Sequence, residues 1–133
     1  QSGVDPIVKA DPMQYQIYAT VRSKKNSRRV GCNHGRMFSI PSKAYESFKE
    51  EALQELMGQK PKDLVPPYTI YYRFYTKGER TIDLDNAITS INDVLQEARI
   101  IGDDGYIKAI HARRTRHAIK DCTIIEIIQK AKE

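Results

Sequence analysis

Residues 80–105 read RTIDLDNAITSINDVLQEARIIGDDG and predict one amphipathic helix with a carboxylate pair at each end. Leu84, Ala87, Ile88, Ile91, Val94, Leu95 and Ala98 recur at helical spacing and line an apolar face. Asp85, Thr89, Asn92, Asp93 and Gln96 fall on the polar face. Gly102 follows the last periodic residue and reads as the C-terminal cap. Asp83 and Asp85 stand at the entrance of the helix, and Asp103 and Asp104 stand past its exit.

Side chains two residues apart point the same way on extended chain and roughly opposite ways on a helix. Asp83 and Asp85 therefore share a face only if the chain is still strand-like there. Two close carboxylates repel, so one must protonate or gain a cation. Hard oxygen ligands in small number, beside basic residues, suit Mg²⁺ or its substitute Mn²⁺ holding a phosphate. A second reading needs no metal: Asp85 or Asn86 is the N-cap, Asp83 is favoured by the helix dipole, and D-D-G is ordinary turn chemistry. A helix of roughly 15 residues is about 22 Å long, whereas residues 100–104 can return at most ~14 Å. One chain thus holds its acid pairs apart. Two helices packed antiparallel about a two-fold axis would bring each entrance pair to the exit pair of the other copy.

Upstream, residues 69–77 (TIYYRFYTK) alternate Ile70, Tyr72 and Phe74 against Tyr71, Arg73 and Tyr75, the pattern of a strand leading straight to Asp83. Its tyrosines read as packing residues, with stacking on bases as the alternative. Downstream, residues 106–116 and 122–128 predict two strands, the last apolar enough to be central. Residues 118–121 are expected to form a hairpin turn between them. In the N-terminal half, residues 13–21 read as a strand with Tyr15, Ile17 and Ala19 inward, and residues 36–40 as a short second strand. Residues 42–57 form a helix capped by Ser42, with Tyr45, Phe48, Ala52 and Leu56 as its core stripe and Gly58 ending it. The element order is β-β-α-β-α-β-β. It predicts a single α+β domain, a mixed or antiparallel sheet with two packed helices. Residues 1–12 lack periodicity and precede Met13, a natural start, so they are expected to be an appended or flexible segment outside a domain of residues 13–133.

With 22 Lys and Arg against 17 Asp and Glu, the net charge of +5 favours an anionic partner without naming one. The cations cluster. Residues 22–36 read as a polar loop carrying Lys24, Lys25, Asn26, Arg28, Arg29 and Arg36, a group suited to phosphate contacts that position a DNA backbone. Arg113, Arg114 and Arg116 with His117 form a second cluster. No apolar run approaches a membrane span and no signal pattern opens the chain, so no membrane partner is expected. Cys32 and Cys122 lack metal-type spacing, and Cys32 with His34 lacks two further zinc ligands. The histidines read as structural, and no Gly-rich phosphate loop is present.

The D-L-D-N tetrad at 83–86, the amphipathic helix with Asp93 inside it and the acids after it resemble the RusA family of Holliday junction resolvases. The K-K-N-S-R-R loop around Asn26, and the short strand and A-Y-bearing helix of residues 35–56, fit the same pattern. The resemblance covers roughly residues 13–128. It implies a Mg²⁺-dependent, homodimeric endonuclease that cuts four-way DNA junctions by paired nicks, cytoplasmic and of bacterial, phage or prophage origin. Asp83, Asp85 and Asp104 would be the essential acids, with Asp103 beside them, and dimerisation would complete the metal sites. Two departures stand out. Family members carry a lysine one turn into the helix, where this chain has Thr89. Their arginine run before D-L-D-N is here E-R-T-I at 79–82. Another cation would have to stabilise the phosphate, with Lys24, Lys25, Lys77 and Arg80 as candidates, or activity would be weaker. A junction-binding protein that cleaves poorly, and an RNA-directed nuclease, are the alternative expectations.

Overall fold

Ser42 and Asp83 start the two helices that fix this architecture, and both are short polar side chains that accept backbone N–H bonds. The structure is a computed structural model describing residues 12–23, 28–33, 36–59 and 61–130, with backbone alone at 28–33 and 36–41. In chain order the elements are β1 (Met13–Ile17), β2 (Arg28–Asn33), β3 (Arg36–Pro41), α1 (Lys43–Met57), β4 (Tyr68–Lys77), α2 (Leu84–Glu97), β5 (Ile107–Ala118) and β6 (Cys122–Ile128). A 3-10 turn, Asp104–Tyr106, precedes β5.

The fold is α+β: a mixed four-stranded sheet ordered β1-β6-β4-β5, two helices, and a separate β2-β3 ladder. The helices pack on one face of the four-stranded sheet. Tyr15 and Ile17 from β1, Tyr68, Ile70, Tyr72 and Phe74 from β4, and Ile125 and Ile127 from β6 form one buried cluster with Tyr45, Phe48, Ala52 and Leu56 of α1 and Ala87, Ile91, Val94 and Leu95 of α2. The strand residues in this cluster alternate, because successive side chains leave opposite faces of a strand. α1 matches its sequence in full: Ser42 accepts from the Tyr45 N–H at 3.2 Å, and all four stripe residues are buried.

Four expectations are corrected. First, β2 occupies part of the span expected to be loop. Arg28–Asn33 pairs antiparallel with Arg36–Pro41, so the order is β-β-β-α-β-α-β-β. The density of cations masks the strand character of Val30 and Cys32 in sequence.

Second, β5 and β6 are not a paired hairpin. β5 pairs parallel with β4, while β4 pairs antiparallel with β6, so β4 lies between them. Cys122–Ile128 is nonetheless central, flanked by β1 and β4.

Third, β1 ends at Ile17. The next backbone N–H groups, of Tyr18 and Ala19, donate to the Glu55 carboxylate of α1 at 2.6 and 2.9 Å instead of extending the ladder.

Fourth, Gly102 does not cap α2. The cap is Ala98, followed by Arg99 in the left-handed region at φ 63°. Arg99 N–H bonds to Gln96 O at 3.0 Å and Ile100 N–H to Leu95 O at 3.0 Å, the paired bonds of a Schellman motif. The buried Ile100 and Leu95 supply its apolar contact. Sequence reading looks for glycine at such a position because a Cβ is strained there. Here the flanking bonds, including Asp63 N–H to Arg99 O at 2.7 Å, hold an arginine in place.

Among the described residues, no helix is long and apolar enough to cross a membrane. Arg99→Gly relieves the left-handed strain, and we expect it to stabilise the protein by about 1 kcal/mol. Urea unfolding with an unchanged m-value checks this; a loss of stability would show that the arginine side chain matters more than its backbone angle.

Candidate metal centre and nucleic-acid interface

The end of β4 carries the chain to the first acid pair through a set of polar ties. Gly78 turns the chain at φ +62°, Thr76 Oγ1 donates to Arg80 O at 2.6 Å, and His117 N–H donates to Gly78 O at 2.7 Å. Asp121, in the turn before β6, joins three segments. It accepts from Thr20 Oγ1 at 2.7 Å, from the Lys77 N–H at 2.9 Å and from the Arg80 guanidinium. Burial pushes this carboxyl up, but the bonds from Lys77, Thr20 and Arg80 and the charge of Arg80 outweigh it and hold its pKa below the ordinary value.

Asp83 is the N-cap of α2. It has extended backbone at φ −76° and ψ 116°, and its Oδ1 accepts from Asp85 N–H at 3.0 Å and Asn86 N–H at 3.5 Å. The expectation that Asp85 or Asn86 caps the helix is thus corrected: the cap lies earlier, at Asp83. Asp85 lies in the first helical turn, so the pair straddles the boundary between extended chain and helix, and the condition for a shared face, that both acids stand on extended chain, is not met. Both side chains are exposed at the positive end of the α2 dipole, where anionic charge is favoured.

Arg114 completes this neighbourhood. It lies on β5 opposite Phe74 of β4, and its Nη1 donates to the carbonyl of Ile82, the residue before Asp83, at 2.8 Å. In sequence Arg114 belongs only to the second basic cluster; its place beside Asp83 depends on parallel β4–β5 pairing. The same pairing sets Arg113 opposite Arg73 and carries Arg113, Arg114 and Arg116 toward the sheet edge that holds Lys77 and Asp83. Arg80 is on this edge too, with its guanidinium engaged by Asp121. Of the first basic group, Lys24, Lys25 and Asn26 lie outside the described residues, and Arg28, Arg29 and Arg36 are defined only as backbone positions on β2 and β3.

The second acid pair is at the opposite edge. β4 and β5 run parallel, so the carboxyl end of one and the amino end of the other are the two ends of α2, whose 14 residues span about 21 Å. Asp103 caps the 3-10 turn by accepting from Gly105 N–H at 2.8 Å, which is the turn chemistry anticipated for D-D-G. Asp104 N–H donates to Gln96 Oε1 at 3.1 Å. Its carboxylate is near enough to the buried Tyr72 phenol to add to the upward shift that burial causes there. The polar face of α2 is partly internal. Asn92 is 7% exposed and its Oδ1 accepts from Tyr72 O–H at 2.5 Å, while the fully buried Ser90 donates to Arg22 O at 2.7 Å. Asp93 accepts from Tyr45 O–H at 2.9 Å, tying α1 to α2.

Among the described residues, no group of three or more His, Cys, Asp or Glu side chains converges to hold an ion. The donor chemistry at Asp83 and Asp85 nevertheless fits Mg²⁺. That ion takes oxygen ligands and is commonly held by one or two carboxylates, with water and a substrate phosphate filling its octahedron.

No protein-family model matches this chain, and no curated protein matches it.

Asp121→Ala removes three ties at once, and we expect a loss of about 2–3 kcal/mol near neutral pH. A carboxyl whose folded pKa is depressed stabilises the fold above its unfolded value, ordinarily 3.8, and loses that contribution as pH falls through the lower folded value. The gap between wild type and Asp121→Ala in thermal melts should therefore be constant above about pH 5 and narrow below the ordinary value. A gap independent of pH would remove the carboxylate from the account.

Proposed function

We propose that this protein is a metal-dependent endonuclease of the RusA type, acting as a homodimer on four-way DNA junctions. One observation carries the reading. Arg114 of β5 reaches the carbonyl of Ile82, next to the exposed Asp83, so an acid pair that would hold a divalent cation stands beside a guanidinium that could meet a phosphate.

In this reading Asp83 and Asp85 hold Mg²⁺, or Mn²⁺ in its place. The ion supplies polarisation of the scissile phosphodiester and acidification of the attacking water. Asp83 is oriented by its capping bonds, so its carboxylate needs little reorganisation to serve as a ligand. Arg114, anchored on Ile82 O, is the cation best sited to neutralise charge developing on the phosphate, the role left open by Thr89. Arg116 and Lys77 hold the flanking backbone. Asp103 and Asp104 act across the dimer. An antiparallel pairing of two α2 helices would carry them to the Asp83–Asp85 pair of the other copy, and the two-fold axis would generate two symmetric nicks.

A second reading, junction binding without efficient cleavage, is favoured by two contacts. Thr89 spends its hydroxyl on Asp85 O at 3.1 Å, and Arg80 is committed to Asp121. Cleavage of a synthetic four-way junction in Mg²⁺ distinguishes the two. Asp83→Asn keeps a capping acceptor, so we expect stability within about 0.5 kcal/mol of wild type and cleavage lowered at least about 10²-fold; Asp85→Asn should behave alike. Arg114→Ala should lower cleavage by about 10²-fold, with partial recovery in Arg114→Lys. Wild-type nicking that survives Asp83→Asn and Asp85→Asn would end the metal assignment. A strict monomer in sedimentation would end the shared site.

A further inference from the structure

We propose that the helix-free face of the four-stranded sheet holds an unpaired stretch of nucleic acid by base stacking on His111 and Tyr71. Tyr71, Arg73 and Tyr75 of β4 alternate away from the core, and parallel register sets His111, Arg113 and Thr115 of β5 beside them. Tyr71 and His111 are both exposed and stack with ring centroids 4.6 Å apart and an interplanar angle of 12°. β5 is the outer strand of the sheet, so among the described residues no further strand of that sheet flanks the outward face of the His111 ring. A flat base can continue the stack there, whichever base it is, because every base offers a π-face.

The groove around this pair has a volume of about 640 Å³, with Arg73, Arg113, Ile110 and Glu126 among its lining residues. Glu126 is ion-paired with Arg73, and among the described residues no carboxylate pairs with Arg113, whose guanidinium can meet an anion. Arg113 is two strand residues from His111, about 6.6 Å along β5, within the span of a single nucleotide. The stacked rings and one guanidinium together describe a base and its phosphate.

A second copy of the chain fits less well. Pairing the free edges of two β5 strands would bring together strands that each carry Lys108, Arg113, Arg114 and Arg116, and like charges on neighbouring strands repel. The inference rests on the chain acting on nucleic acid but not on the Asp83–Asp85 site, so the two can fail separately.

Fluorescence anisotropy with labelled oligo-dT and oligo-rU, each about 15 nucleotides long to cover one binding groove, tests it. Either oligomer bound by the wild type is expected to bind about tenfold more weakly to His111→Ala. His111→Phe, which keeps a ring, should stay within about threefold, and Arg113→Ala should lower the slope of log affinity against log salt by about one. If the wild type binds the oligomer but never nicks DNA, the groove stands while the nuclease reading falls. Unchanged affinity in a folded His111→Ala, with its circular dichroism and melting intact, would overturn the proposal. So would displacement of the oligomer by polyglutamate at equal charge, or a shift in sedimentation on His111→Ala in place of a loss of oligomer binding.

Discussion

Parallel pairing of β4 with β5 is the constraint from which the rest of this molecule follows. Parallel neighbours cannot be joined by a tight turn, and the chain must travel the length of the sheet before re-entering it. α2 makes that journey, burying Ala87, Ile91, Val94 and Leu95 against the sheet as it does so. The two acid pairs are consequently held at opposite edges. The arginines toward the end of β5 follow the Asp103–Asp104 pair in the chain, yet they arrive beside Asp83.

Polar groups do much of the aligning that this crossover needs. Asn92 receives the Tyr72 hydroxyl, Ser90 reaches Arg22 O, and Asp93 receives the Tyr45 hydroxyl, so α2 is fixed to β4, to the segment after β1 and to α1. A buried polar group without a partner costs more than a good hydrogen bond contributes, so a rotated α2 would leave several of these groups unsatisfied. Asp121 does the equivalent work at the site edge, where three segments that end near Asp83 meet one carboxylate. The acids at the helix entrance can be exposed because their positions are set by buried partners behind them.

The sheet has two chemically different faces. Tyr68, Ile70, Tyr72, Phe74 and Thr76 of β4 point into the core, while Tyr71, Arg73 and Tyr75 point away from it and meet His111, Arg113 and Glu126. Alternation along one strand thus supplies both the packing that holds α2 and the charged, aromatic surface on the other side. The edge where α2 begins joins the acids to the basic end of β5, giving the molecule a polarity from the Asp83 edge to the Asp104 edge.

Local pattern alone determined α1 with its Ser42 cap and its stripe of Tyr45, Phe48, Ala52 and Leu56, the alternating β4, the extent of β6 and the apolar face of α2. Each depends on side-chain periodicity and capping chemistry within a few residues, which a linear reading contains. The separation of the acid pairs was legible too, because helix rise and chain reach are fixed by covalent geometry. Strand neighbours were not legible. A short turn at residues 118–121 suggests a hairpin, but insertion of β4 between β5 and β6 is decided by which arrangement buries Ile70, Tyr72, Ile125 and Ile127 under the helices. Arg99 in the left-handed region, Asp121 as a meeting point and Arg114 beside Asp83 belong to the same class. Their partners lie far away along the chain, and only the folded arrangement brings the donors and acceptors within a hydrogen bond of one another.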